Sequence, residues 1–211
     1  MVCLPHRLQL SALVLVAAQL LMACAGKLDE KRVREFVDAA DQAFLKGNAT
    51  RVCAMRAENF RLEATSFELA KGKTVRSLAE AESVEADSPS APASPGKAEV
   101  LDLQKFCFMA LESKNFYKRA TLERGDLNIQ VDPSGQRATV RAHYTVKEPV
   151  YEYGESTLHD NDRVEHQVAT RQTESDDESV IVMGPDGDPL FESTRSSSKS
   201  FLIARELDRR L

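Results

Sequence analysis

From Asp29 onward the apolar residues follow two periods, and the change between them divides the chain. Val33, Phe36, Val37, Ala40 and Phe44 recur at steps of three and four. That spacing predicts an amphipathic helix capped by Asp29 and ended by Lys46-Gly47, a cation near the negative terminus and a glycine free to turn left-handed. Asn48 caps a second, shorter helix in which Ala49, Val52 and Cys53 share a side. Phe60, Leu62 and Ala64 then alternate with Arg61, Glu63 and Thr65, as in a half-buried strand. Phe67 and Leu69 prolong it, and Lys71-Gly72-Lys73 is a turn from which Val75 and Leu78 return. Glu80 to Gly96 has no period. The stretch at about 83–96, rich in Pro, Ser and Ala, is expected to be a disordered insertion within one domain. Ser94-Pro95 is expected to open a further helix. Its stripe of Val100, Leu103, Cys107, Ala110 and Leu111, widened by Leu101, Phe106 and Phe108, predicts cover on more than one side.

The rest of the chain reads as strands. Leu127, Ile129 and Val131 face a run of Ala138, Val140, Ala142, Tyr144 and Val146 across the turn Asp132-Pro133-Ser134-Gly135. Turn chemistry sets Ile129 opposite Thr139. Matching the apolar faces sets Ile129 opposite Ala138 and Leu127 opposite Val140, and because a one-residue slip exposes every apolar side chain, burial is expected to decide. On that register Gly125 lies opposite Ala142. A second hairpin, from about Asp162 to Arg205, turns at Gly184-Pro185-Asp186-Gly187. Its arms set Val164, Val168, Val180 and Val182 against Leu190, Phe201 and Ile203, with a bulge expected at acidic Glu174–Glu178.

Residues 1–23 have a different character: a short start with one firm positive charge (Arg7), an apolar run from Leu8 to Leu21, and small Ala23 before Cys24. The run is too short and too interrupted for a good membrane span, which needs roughly 20 apolar residues. Leu21-Met22-Ala23-Cys24 resembles the lipobox of bacterial lipoproteins. The resemblance implies cleavage between Ala23 and Cys24, a diacylglycerol on the Cys24 sulfur, a fatty acyl chain such as palmitate on its amine, and a lipidated tether over 24–28. At about 0.8 kcal/mol per buried methylene, several chains hold a protein to a bilayer where one does not. An ordinary cleaved signal is the alternative. Ala25 lacks the aspartate associated with inner-membrane retention, so the resemblance points to the outer membrane, with the domain facing the periplasm.

The part beyond the tether, 29–211, is one domain's length. The whole chain carries a net charge of −5 and no basic run, which argues against nucleic acid as a partner. Of four cysteines, Cys3 leaves with the leader and Cys24 is acylated. Cys53 and Cys107 remain as a pair in an oxidising compartment, where a disulfide is favoured over two buried thiols.

Two opening helices, a strand, one apolar helix and long antiparallel strands predict an α+β domain, its N-terminal helices packed on a curved antiparallel sheet. The phrase Lys46-Gly47-Asn48, the short helix with Val52-Cys53, the strand at Phe60-Arg61-Leu62, the helix over Val100–Leu111 and the closing meander together resemble the nuclear transport factor 2-like group of cystatin-like folds. The resemblance implies a cone with an interior pocket, which in some members is catalytic and in many only binds. Family members often pair through the sheet, so a homodimer is open.

No nucleotide, zinc-protease or serine-hydrolase motif is present, and no cofactor or metal is expected. Asp160-Asn161-Asp162 and Asp186-Gly187-Asp188 lack a calcium loop. Tyr117, Tyr144 and His166 are the pocket candidates; His143, beside Arg141, is expected on the exposed face. The inner stripes offer no carboxylate as a catalytic base. The sequence thus points to a lipid-anchored envelope protein with a non-catalytic binding domain for a protein partner or small apolar ligand, an inhibitor or immunity-type protein being one version. The alternative is an isomerase, dehydratase or hydrolase acting in the cone.

Overall fold

A computed structural model of the chain describes residues 26–71, 73–86, 96–113, 119–155 and 163–204, without the side chains of 152–155 and 163–166. The leader, Cys24, Tyr117, the His166 side chain and residues 87–95 of the expected insertion lie outside the described residues.

Helix α1 (Glu30–Leu45) begins where Asp29 accepts the amide of Arg32 at 2.7 Å. It ends before Gly47, whose φ of +62° is the left-handed turn that favours glycine. Asn48 accepts the amide of Arg51 at 3.1 Å and starts α2 (Ala49–Ala54). Strands β1 (Arg56–Glu68) and β2 (Thr74–Val75) precede helix α3 (Leu78–Ala86), and β3 (Lys97–Asp102) precedes α4 (Leu103–Glu112). Strands β4 (Thr121–Arg124), β5 (Asn128–Val131), β6 (Arg137–Glu155), β7 (Arg163–Met183) and β8 (Pro189–Ala204) complete an α+β fold. The curved, open sheet has the order β3-β1-β8-β7-β6-β4, with β2 paired to β8 and β5 to β6. It is mixed rather than wholly antiparallel, because β1 and β2 run parallel to β8.

Several local expectations are corrected. The apolar run around Val100 is divided: Asp102 caps α4 by accepting the Lys105 amide at 2.9 Å, and residues 97–102 pair with β1 as a strand. The 3.6-residue stripe there arose from joining two elements. Nor is α4 covered all round, since Phe108 is 64 % exposed and Met109 and Leu111 are also exposed. Residues 78–86 are helical where no period is visible, because α3 needs only Leu78, Ala81 and Val84 to seat itself. Val75 does not return beside β1 but lies against Ile203.

Strands β5 and β6 pair Val131 with Ala138 and Ile129 with Val140, so apolar residues do face apolar residues, but two positions from the expected register. The turn is longer than anticipated because Asp132 accepts the Gln136 amide at 3.1 Å and the Ser134 hydroxyl at 2.9 Å. Gly125 therefore donates to His143 O at 2.9 Å instead of facing Ala142. Residues 174–178 are regular strand, Glu174 pairing with Lys199 and Asp177 with Ser196. The irregularity falls between Val180 and Ile181, opposite an extra residue in β8. That extra residue lets Phe191 and Thr194 point to the same side of the sheet.

One side of the sheet is covered by α1, α2 and α4. There Val33, Val37, Phe60, Val140, Ile181 and Phe191 form the main core. Phe36 stacks on Phe191 at 4.9 Å between ring centres. Phe201 and Ile203 belong to the opposite side, in a small second core with Ala81, Val75 and Leu78. The rest of that opposite side is ionic: Arg141 pairs with Glu178 at 2.6 Å and Arg195 with Glu63 at 3.4 Å.

Candidate functional site

The helix-covered side changes character along the strands. Beyond the apolar core, alternation places Asp177, Ser175 and Thr173 of β7 on it, beside Ser196, Ser198 and Ser200 of β8 and Ser66 of β1. Ser196 donates to Asp177 at 2.7 Å, and Ser179 and Thr194 hydrogen-bond at 2.9 Å. Burial and neighbouring Asp176 raise the Asp177 pKa, while the hydroxyls of Ser196 and Ser175 oppose the shift.

Arg124 closes this polar region against α1. Its guanidinium donates to Asp41 in a short contact and to Asp38 at 2.6 Å. Burial pushes the Asp41 carboxyl up to about 6, with Arg124 holding it from going further. Tyr144 is half-buried beside the pair, and burial together with Asp41 raises its pKa. Of the expected pocket residues, Tyr144 is thus on the helix-covered side. His143 is on the opposite face, 50 % exposed and 3.0 Å from Asp176. Asp177 is a carboxylate on the helix-covered side, where none was expected as a catalytic base; reading the acidic run as a bulge obscured it. Among the described residues no cluster of His, Cys, Asp and Glu is placed to hold a metal ion.

At the other end, the three helices leave a gap. Cys53 of α2 and Cys107 of α4 form a disulfide, with Cα atoms 5.6 Å apart. It ties the two helices where they meet over β1. Beside it lies a cavity of about 230 Å³ lined by Phe44, Val52, Leu62, Phe106, Met109 and Ala110, with Gly47 and Asn48 at its rim. Two of its lining residues, Val52 and Phe106, also touch Arg56, whose pairing with Phe191 turns its side chain into the apolar core. The guanidinium lies 4.5 Å from the ring centre of Phe106, 4.9 Å from that of Phe191 and 5.4 Å from that of Phe60. Nη1 donates to Val52 O at 2.6 Å; Nε is buried without a partner. Desolvation lowers the Arg56 pKa to about 10. Sequence reading missed this residue because the alternating pattern becomes visible only from Phe60, four positions later.

No family model and no curated protein matches the chain. Similar solved structures include a conserved protein from Planctomyces limnophilus, 10 % identical over 82 % of this chain and 97 % of that one, with a TM-score of 0.48. An NTF2-like protein with a cystatin-like fold from Novosphingobium aromaticivorans is 11 % identical over 86 % of each chain, at a TM-score of 0.44. A ketosteroid isomerase-like protein from Erwinia carotovora atroseptica is 13 % identical over 81 % of this chain and 98 % of that one, at 0.41. Likenesses of this strength do not bear on what the chain does.

Proposed function

We propose that this chain is a lipid-anchored bacterial envelope protein, facing the periplasm, whose α+β domain binds a small apolar ligand without catalysis. The observation that carries the binding reading is the cavity between α1, α2, α4 and β1, lined mainly by apolar side chains such as Phe44, Val52 and Phe106. Its neighbours Phe108 and Leu111 extend apolar surface outward, which suits delivery to, or capture by, another protein. The anchor rests on Leu21-Met22-Ala23-Cys24.

A medium-chain alcohol such as octanol should bind saturably to the mature domain, and Ala110→Phe, which fills the cavity, should abolish binding. Unsaturable or variant-independent binding would refute the cavity reading. Cys24→Ala should remove acyl labelling and release secreted protein from membranes; persistent labelling would refute the anchor.

A second reading, an isomerase, dehydratase or hydrolase, draws support from Asp177, Asp41 and Tyr144 on one side of the sheet with shifted pKa values. Arg124 already occupies Asp41, however, and Ser196 occupies Asp177. Carbon-13 carboxyl titration by NMR is the check: an Asp177 resonance titrating at its unperturbed position would remove the candidate base.

A further inference from the structure

Resting on the cavity reading, we infer that the cavity's ligand carries an anionic head, such as a carboxylate on an aliphatic chain, and that Arg56 is the residue that receives it. Arg56 differs from the ion-paired arginines of this fold. Arg124 has Asp38 and Asp41, Arg141 has Glu178, and Arg171 has Glu148. Arg56 has no acidic partner among the described residues, only three aromatic faces and one backbone carbonyl. The rings offset part of the cost of taking a guanidinium out of water, but they leave Nε without an acceptor. A planar fork of donors held in an apolar cage is matched by a carboxylate, which accepts two parallel hydrogen bonds and supplies the missing charge.

Two residues join this cage to the cavity. Val52 lines the cavity and accepts the Nη1 hydrogen bond through its carbonyl. Phe106 lines the cavity with its side chain and stacks with the guanidinium. Arg56 does not itself line the cavity, so the head of a chain lying between Leu62, Met109 and Ala110 reaches the guanidinium past Val52 and Phe106. The volume of about 230 Å³ is below that of sites for drug-sized molecules, so the chain is short or a single ring.

The experiment compares octanoate with octanol on the disulfide-bonded mature domain by calorimetry at neutral pH. A cavity without a charge partner prefers the alcohol, because the acid must shed water from its carboxylate. Octanoate is expected to bind at least tenfold more tightly than octanol, Arg56→Met to erase that preference, and Arg56→Lys to keep part of it. Octanol binding as tightly as octanoate would overturn the inference while leaving the cavity reading intact; binding of neither would overturn both. A folded Arg56→Met that still prefers the acid would remove Arg56 from the role. Should Arg56→Met not fold, the wild-type preference and its retention in Arg56→Lys decide the matter: loss of octanoate binding below the carboxylate's own pKa is expected, and unchanged binding there would refute an anionic head.

Discussion

The two ends of the helix-covered sheet surface are built on the same strands and have opposite chemistry. At one end Phe60, Val140, Ile181 and Phe191 are buried beneath three helices. At the other, the same strands present Ser175, Asp177, Ser196 and Ser198, all half-buried, and Ser66, which is exposed. β8 lies in the interior of the sheet order, where a strand is usually apolar on at least one side. Here both of its sides are polar from Ser193 to Ser200. The difference shows where packing stops: at the boundary Arg124 of β4 pairs with Asp38 and Asp41 of α1. Past that boundary, hydroxyls bond to one another and to Asp177.

The comparison is broken most severely at its boundary. Arg124→Met should cost about 3–5 kcal/mol at pH 8, because it strands a carboxylate already short of water. The sign with pH is fixed by Asp41, whose folded pKa of about 6 exceeds its ordinary 3.8. A carboxyl raised on folding penalises the fold above its folded pKa and ceases to do so as the pH falls through it. Without Arg124 that pKa rises further, so the deficit should shrink as the pH is lowered from 8 towards 5. Urea unfolding across that range checks it, and a deficit that grows on acidification would refute the account.

Next in size is the staple over the apolar end. Cys53→Ser combined with Cys107→Ser should cost about 4 kcal/mol through the freed loop's entropy. Unfolded, unreduced wild-type protein should yield no free thiol at either position; two reactive thiols there would remove the bridge.

The smallest effects separate the two ends directly. Ile181→Ala should cost about 3 kcal/mol by opening a void in a dry core, whereas Ser198→Ala at the wet end should stay within about 0.5 kcal/mol. Equal losses in thermal or urea unfolding would mean that the wet end is packed after all.

Local signals wrote the caps and breaks of this fold into the chain. Asp29, Gly47 and Asn48 act through neighbours three residues away or less, so the ends of α1 and the start of α2 were legible. The apolar pairing of β5 with β6 was legible too, since alternation fixes which side each residue takes, although not the two-residue offset set by Asp132 in the turn. The pairing of Cys53 with Cys107 followed from elimination and was met by the geometry. Residues 97–112 misled because an apolar run satisfies both periods until a partner strand claims its first half. The candidate site was less legible than the fold. Tyr144 does lie on the helix-covered side, but Asp177 became inward-facing only through regular pairing with Ser196, and Arg56 was drawn inward by Phe191, 135 positions away.

Taken alone, the chain determined where α1 and α2 begin and which stretches alternate, and it carries the Leu21–Cys24 pattern on which the proposed anchor rests. Only the tertiary structure decided the parallel pairing of β1 with β8, the wet half of the sheet and the caged guanidinium. Capping and alternation are read by neighbours in sequence. The water left around a buried cation or a row of hydroxyls depends on which distant side chains arrive to exclude it.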